Sequence, residues 1–185
     1  MPILLTPKLR LIPGTKDSLR AELKSPAALG EVLGVHVPES WPPELYDADA
    51  VTWNLGALES KRIPPDWGLY YITTLAHDGD PPWLVGAGGF KGEPDDTGTV
   101  EIGYSVVPEQ RRRGYARDAV EGWMRWAFSD PRVSSIAAHT LPSLTPSIRV
   151  LESAGFRYVR PETDAGEPDA IRYELSRAKY EASRG

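Results

Sequence analysis

The chain has 185 residues and no cysteine, which excludes a disulfide framework, a thiolate zinc site and a cysteine nucleophile. Its 26 acidic and 21 basic side chains leave a net charge of −5, which argues against broad nucleic-acid binding while allowing a local basic cluster. The three histidines, His36, His77 and His139, lie far apart with no helical metal-ligand spacing, so no metal site is expected.

A single domain over residues 1–185 suits this length, because a chain of this size buries about 70% of its unfolded surface. Residues 1–11 lack the basic, apolar, small-residue order of a signal peptide. No run of about 18 apolar residues offers a membrane span. A cytoplasmic protein without a membrane partner is the expectation.

Residues 8–12 read as a short strand closed by Pro13 and Gly14. Residues 16–23 and 27–33 read as short helices, and 44–60 as a longer, less regular one. Residues 69–76 are rich in β-formers and follow the breakers Pro64, Pro65 and Asp66; residues 83–90 form another apolar run. The turn residues Asp78, Gly79 and Asp80 between them predict a hairpin. Residues 99–107 form a third strand, stopped by Pro108. Within 114–128, Ala116, Val120, Trp123 and Ala127 recur at helical steps, with Asp118 and Glu121 towards the positive end of the dipole. A strand at 135–140 precedes a helix at 146–154, with Thr145 to cap it, Pro146 in its first turn and Gly155 as a left-handed C-terminal cap. Strands at 156–160 and 170–175 complete the order. It predicts a mixed α+β domain rather than a doubly wound parallel sheet.

The informative stretch is 100–117, where a strand runs through Glu109, Gln110, Arg111, Arg112 and Arg113 straight into an amphipathic helix. A helix start presents about four unpaired N–H groups and roughly half a positive charge, and so binds phosphate. Gly114 and Ala116 lack bulk, and Arg111, Arg112, Arg113 and Arg117 add charge. Those cations oppose the dipole, so a bound anion would offset their cost. The plain alternative is a solvated basic turn. Other phosphate and nucleophile motifs fail: there is no Gly-Lys pair for a P-loop and no G-x-S-x-G elbow. The glycines Gly86, Gly88 and Gly89 lie inside a strand and read as a bulge or a close backbone contact.

Arg111-Arg112-Arg113-Gly114-Tyr115-Ala116 resembles the Q/R-x-x-G-x-G/A acetyl-CoA motif of the GNAT superfamily. Glu101-Ile102-Gly103-Tyr104 with Pro108-Glu109, and Ser147 to Glu152 followed by Ala154-Gly155-Phe156, are similar to its RimJ/RimL-type branch, which acetylates protein N-termini and small amines. The likeness covers residues 69–160 well and the rest loosely. It implies a single-domain GNAT fold, a mixed and mostly antiparallel sheet splayed after its fourth strand, with helices on both faces. It implies acetyl-CoA as donor, its pantetheine arm pairing with backbone groups of Val106 and Val107. Its pyrophosphate would lie on the amides of Arg112, Arg113, Gly114, Tyr115, Ala116 and Arg117, beside Arg111.

Direct transfer to an amine needs a base and a proton donor for the leaving thiolate. Glu101 is the candidate base, acting through water; the alternative is an exposed acid on the strand's polar face, since alternation sets it opposite Val100, Ile102 and Tyr104. Ser147, by the resemblance, hydrogen-bonds the sulfur or pantetheine; otherwise it is an ordinary first-turn residue. Tyr104, Tyr115 and His139 are further candidates that also fit packing roles. Leu144 stands where the branch usually has Asn in Leu-Pro-x-Asn, which removes a polar contact. The acceptor, a small-molecule amine or a peptide N-terminus, is expected to meet residues 35–53 and 161–169, with Trp41, Trp53 and Trp67 as candidate pocket walls. A homodimer is compatible with the sequence. The rival functions are an acyl-CoA-binding sensor without turnover and a nucleic-acid binder.

Overall fold

Alternation along the central strands sets neighbouring side chains on opposite faces, and both faces are covered. A computed structural model describes residues 2–77, 79–161 and 169–184. Eight strands form one sheet: β1 (Leu4–Leu5), β2 (Leu9–Pro13), β3 (Leu69–Thr74), β4 (Leu84–Phe90), β5 (Thr99–Val106), β6 (Ser135–Thr140), β7 (Arg157–Pro161) and β8 (Ile171–Ser176). Their order is β1-β2-β3-β4-β5-β6-β8-β7. The β5–β6 pair is parallel, and every other neighbouring pair is antiparallel.

The helices are α1 (Lys16–Lys24), α2 (Pro26–Leu33), α3 (Ala48–Glu59), α4 (Tyr115–Ser129), α5 (Thr145–Ser153) and α6 (Arg177–Ala182). Tyr70, Ile72, Val100 and Ile102 pack on one face with Val120, Trp123 and Ala127 of α4. Tyr71, Leu84 and Ala87 pack on the other with Leu19 of α1, Leu29 of α2 and Val51 of α3. Adjacent Tyr70 and Tyr71 are both fully buried, yet in different cores. The expected mixed α+β sheet with helices on both faces is what the chain forms. Among the described residues, no helix is long and apolar enough to cross a membrane.

The boundaries show which local signals won. The expected helix at 44–60 shortens to α3, because the Asp47 carboxylate accepts the Asp49 and Ala50 N–H groups as an N-cap. Thr145 is not the cap of α5 but its first residue; Leu144 holds the cap position and has no side-chain acceptor to offer. Gly155 does take the left-handed conformation just past α5, at φ 95°. The glycines of β4 mark both a break in the ladder and a close backbone contact: the register with β3 shifts from Ile72↔Gly86 to Thr73↔Leu84, and a Cβ on Gly86 would lie 2.3 Å from Ser105 O. Two elements carried too little pattern to be read, the two-residue β1 and the six-residue α6. Just ahead of α6's second residue, the Arg177 guanidinium donates to the carbonyls of Phe128, Asp130 and Val133, closing the C-terminal end of α4.

The sheet opens in its middle. Pairing of β5 with β6 runs from Thr99↔Ser135 to Ile102↔Ala138 and stops. Beyond it, β5 stays with β4 through Gly86↔Val106, while β6 stays with β8 through Thr140↔Ile171. Residues 103–106 and 139–140 therefore line the two sides of a cleft.

One half-buried acid ties three aromatic side chains of the second core. Glu22 of α1 accepts from Trp41 Nε1 at 2.9 Å, Tyr46 Oη at 2.9 Å and Tyr71 Oη at 2.7 Å. Burial raises its pKa above the ordinary glutamate range, with the three donors working against that rise. A raised folded pKa means that the native state binds this proton more tightly than the unfolded chain. Its contribution is full below the unfolded value and lost as pH rises through the folded one. The stability of Glu22→Gln should therefore depend less on pH than that of the parent, over the interval just above the usual glutamate range. Parallel denaturant titrations of both proteins from pH 4 to pH 7 check this; equal slopes would show that ionisation of Glu22 is not coupled to folding.

Candidate active site

Hydrogen-bond phase decides which backbone groups face the cleft. Val107 N–H donates to Val85 O and Lys91 N–H to Glu101 O, both at 3.0 Å, and the register between them is unbroken from Gly86↔Val106 to Phe90↔Ile102. In an antiparallel ladder this phase turns the N–H and C=O of Tyr104 and Val106 away from β4 and into the cleft. The Val106 carbonyl accepts Arg111 Nε at 3.1 Å. Val107 differs: its N–H is held by Val85, its C=O accepts Gln110 N–H at 3.0 Å, and its side chain is fully buried. The cleft-facing edge is thus formed by Tyr104 and Val106, with Val107 anchored behind them.

A single 3₁₀ turn, Pro108–Gln110, follows β5. Arg112 at φ 61° and Gly114 at φ 80° then swing the chain into α4. Gly114 gives α4 no side-chain cap, and the first intrahelical bond is Asp118 N–H to Gly114 O at 3.0 Å. The amides of Tyr115, Ala116 and Arg117 therefore have no intrahelical acceptor and point out of the helix start. The side chains of Arg111, Arg112, Arg113 and Arg117 are exposed around this turn. Arg111 pairs with Glu44 at 2.8 Å, and Arg117 with Glu121 at 3.0 Å.

Lys8 adds a fifth cation that sequence reading missed. Its Nζ donates to Arg113 O at 3.1 Å and lies 3.2 Å from where a Gly114 Cβ would stand. Asp118 fixes it there: the carboxylate accepts Lys8 N–H at 3.1 Å and the Thr6 hydroxyl in a short bond. Sequence alone assigns Asp118 to the helix dipole; it is buried at 8% exposure and ties the β1–β2 turn to α4. No local pattern links two residues 110 positions apart.

Glu101 lies on the face opposite Val100 and Ile102, as alternation requires, because β5 has no bulge where it pairs with β4. Its carboxylate does not simply face water. Oε1 meets the Lys91 ammonium in a close ion pair and His139 Nδ1 at 2.9 Å. The Glu101 side chain is 27% exposed and that of His139 12%. Parallel pairing of Glu101 with Ala137 places His139, two residues on, along the same face. On the opposite face, Tyr104 Oη lies 3.3 Å from both the carbonyl oxygen and Oγ of Ser147, in the first turn of α5. Burial pushes the Tyr104 hydroxyl up to about 12, the bond to Ser147 opposing the rise, so it stays protonated at neutral pH. Tyr115 packs half-buried against the core.

The acceptor side departs from expectation. Trp41 is buried on Glu22, and Trp67 is buried against Phe90 and Trp126, so neither walls a pocket. Trp53 does, beside a cavity of about 360 Å³ between α3 and the β4–β5 pair. The segment leading into α3 is latched to β5 and the turn after it: Ser40 Oγ donates to Glu109 at 2.5 Å, and Ser105 Oγ donates to Glu44 O at 2.6 Å. Of the expected acceptor region 161–169, residues 162–168 lie outside the described residues.

The fold is thus a mixed α+β sheet that opens beside an uncapped helix start. Residues 21–157 match the family model described as an acetyltransferase (GNAT) domain, and the chain belongs to that family. A Bacillus subtilis (strain 168) protein described as the uncharacterized N-acetyltransferase YjdG is 38% identical over 73 residues, 40% of this chain and 44% of that protein. The chain thus matches less than half the length of that relative. Among solved structures, one of a putative ribosomal-protein-serine acetyltransferase from Vibrio cholerae superposes with a TM-score of 0.61 at 16% identity, covering 95% of this chain and 97% of the other. The aminoglycoside acetyltransferase AAC(6')-Ib in complex with coenzyme A superposes with a TM-score of 0.60 at 21% identity, over 95% and 98%. These likenesses support the fold.

If the turn holds a diphosphate, Gly114→Trp should weaken acetyl-CoA binding at least about a hundredfold, since the indole would cover the amides and the left-handed backbone resists a side chain. Calorimetry with acetyl-CoA measures this, and an unchanged circular dichroism spectrum confirms the fold. Unaltered affinity would remove the turn from donor binding.

Proposed function

We propose that the protein is an acetyl-CoA-dependent N-acetyltransferase of RimJ/RimL-like type, acting on a primary amine in the cytoplasm. The observation that carries this reading is convergence on one cleft. The unpaired backbone edge of β5, the uncapped start of α4 and the Glu101–His139 pair all belong to residues 101–139 around the point where the sheet parts.

The donor's fit rests on chain atoms. The Val106 N–H, and its C=O through the lone pair that Arg111 Nε does not use, offer the pantetheine amides a strand-like partner, with Val107 as anchor rather than ligand. The amides of Tyr115, Ala116 and Arg117 face the pyrophosphate, and Arg111, Arg112, Arg113 and Lys8 supply countercharge. Acetyl-CoA supplies the acetyl group, whose C–S bond breaks as the new C–N bond forms. Glu101, oriented by His139, takes the proton that the amine loses, directly or through water. Ser147 stabilises the departing sulfur, with the protonated Tyr104 hydroxyl behind it. Leu144 leaves the start of α5 uncapped where the branch carries Asn, so Ser147 sits on a less firmly tethered turn.

Removal of the base should lower turnover without disturbing donor binding. Glu101→Gln is expected to reduce kcat by about a hundredfold or more, with the acetyl-CoA dissociation constant within about twofold of the parent. Thiol release during turnover and calorimetry read the two quantities separately. Tight acetyl-CoA binding with no thiol release by the parent, across a broad amine panel, would instead identify an acyl-CoA sensor.

A further inference from the structure

We propose that the cavity between α3 and the β4–β5 pair is an acceptor slot for a primary monoamine carrying a flat apolar body, an arylalkylamine in chemical class. The assignment deepens the amine-transfer reading and rests on it. At about 360 Å³ the slot lies at the small end of the roughly 300–1,000 Å³ typical of ligand sites. It takes one ring system and a short arm.

Three features set its chemistry. The walls are apolar: Trp53, Leu45, Ala50 and Leu69 contribute, and Trp53 and Leu45 remain 46% and 80% exposed although both are large and hydrophobic. Exposed apolar surface gathered at one concavity marks a binding site rather than chance composition. The floor is bare backbone. Gly103 pairs with Gly89 across β4 and β5, and a Cβ built on Gly103 would meet only Lys91 Cε, at 3.9 Å. A strand that shows no side chain over that stretch is a flat platform for a ring, with the Trp53 indole facing the same space.

The third feature is charge. Among the described residues lining the slot, Lys91 is the only charged one, and no carboxylate lines it. The Arg62 guanidinium lies 4.9 Å from the centroid of the Trp53 ring, adding a second positive group at the rim. A polyamine or aminoglycoside would bring several ammonium groups to walls without partners for them, and an unpaired buried charge is costly. One ammonium does have a place. Glu101 holds the Lys91 ammonium at the cleft end of the slot, so a single substrate ammonium can take over that contact while its apolar body lies on Gly103. The overall acidic charge therefore does not translate into a polycation site.

The test uses the full chain with acetyl-CoA and four probes: tryptamine, spermidine, kanamycin and a hydrophilic hexapeptide with a free N-terminus. Thiol release should give tryptamine a kcat/KM at least about tenfold above the other three, the scale of discrimination an apolar pocket delivers. Gly103→Leu fills the slot without meeting backbone. It should raise the tryptamine KM at least about tenfold while leaving acetyl-CoA affinity unchanged by calorimetry. Trp53→Ala, on an exposed helix face, should do the same should the first variant fail to fold. Preference for spermidine, kanamycin or the peptide overturns the proposal, as does indifference of tryptamine to both variants. If no amine is turned over, calorimetric binding of tryptamine, abolished by Gly103→Leu, upholds the slot and refutes the transfer chemistry alone. Absence of binding heat in that case refutes the slot.

Discussion

The molecule depends on half of one strand having a partner on one edge only. Beyond Ile102, β5 keeps its bonds to β4 and loses β6, which leaves the N–H and C=O of Tyr104 and Val106 facing a gap inside a large sheet. Backbone groups in such a place need partners, and a ligand with its own amides meets that need as a missing strand would. The same parting sets the rest of the site. It lets the chain turn at Pro108–Gln110 into α4, and it separates the face that carries Glu101 and His139 from the face that carries Tyr104 and Ser147. Glu101 and Tyr104 thus stand on opposite sides of one opening because β-strand side chains alternate.

What could be read from sequence follows the range of the interactions. Strand and helix positions came from patterns that act over a few residues: the run of β-formers around Tyr70 and Tyr71, the spacing of Val120, Trp123 and Ala127, the breaker Pro108. The anion-ready turn was legible for the same reason, since Arg112 to Arg117 and the helix start are contiguous. Lys8 was not, because its place is set by Asp118, 110 residues away. The Glu101–His139 contact was half legible. Each residue stood out alone, but their neighbourhood requires the parallel pairing of β5 and β6, for which sequence spacing gives no register. The tryptophans misled because size alone does not separate a core ring such as Trp67 from a pocket wall such as Trp53.

Donor and acceptor sides are joined mechanically. Glu44 accepts from Ser105 through its carbonyl and from Arg111 through its carboxylate, so the segment before α3 grips both the cleft edge and the basic turn. Glu22 anchors the same segment from beneath through Trp41 and Tyr46. Arg111 in turn donates to the Val106 carbonyl, one of the groups facing the gap. The turn is thereby linked to the wall of the apolar slot through three hydrogen bonds.

The Thr6–Lys8–Asp118 knot has a consequence for the order in which parts of the molecule become protected. It makes β1 and β2 an extension of the helix start, so any ligand seated on that start shares its binding free energy with the hairpin. Thermodynamic reciprocity then applies: whatever loosens the hairpin weakens the ligand by the same factor. Backbone amides around residues 4–11 become reporters of donor occupancy, exchanging with solvent slowly when the turn is filled and faster when it is not. The first strand pair of the sheet is in this sense the outermost wall of the helix start.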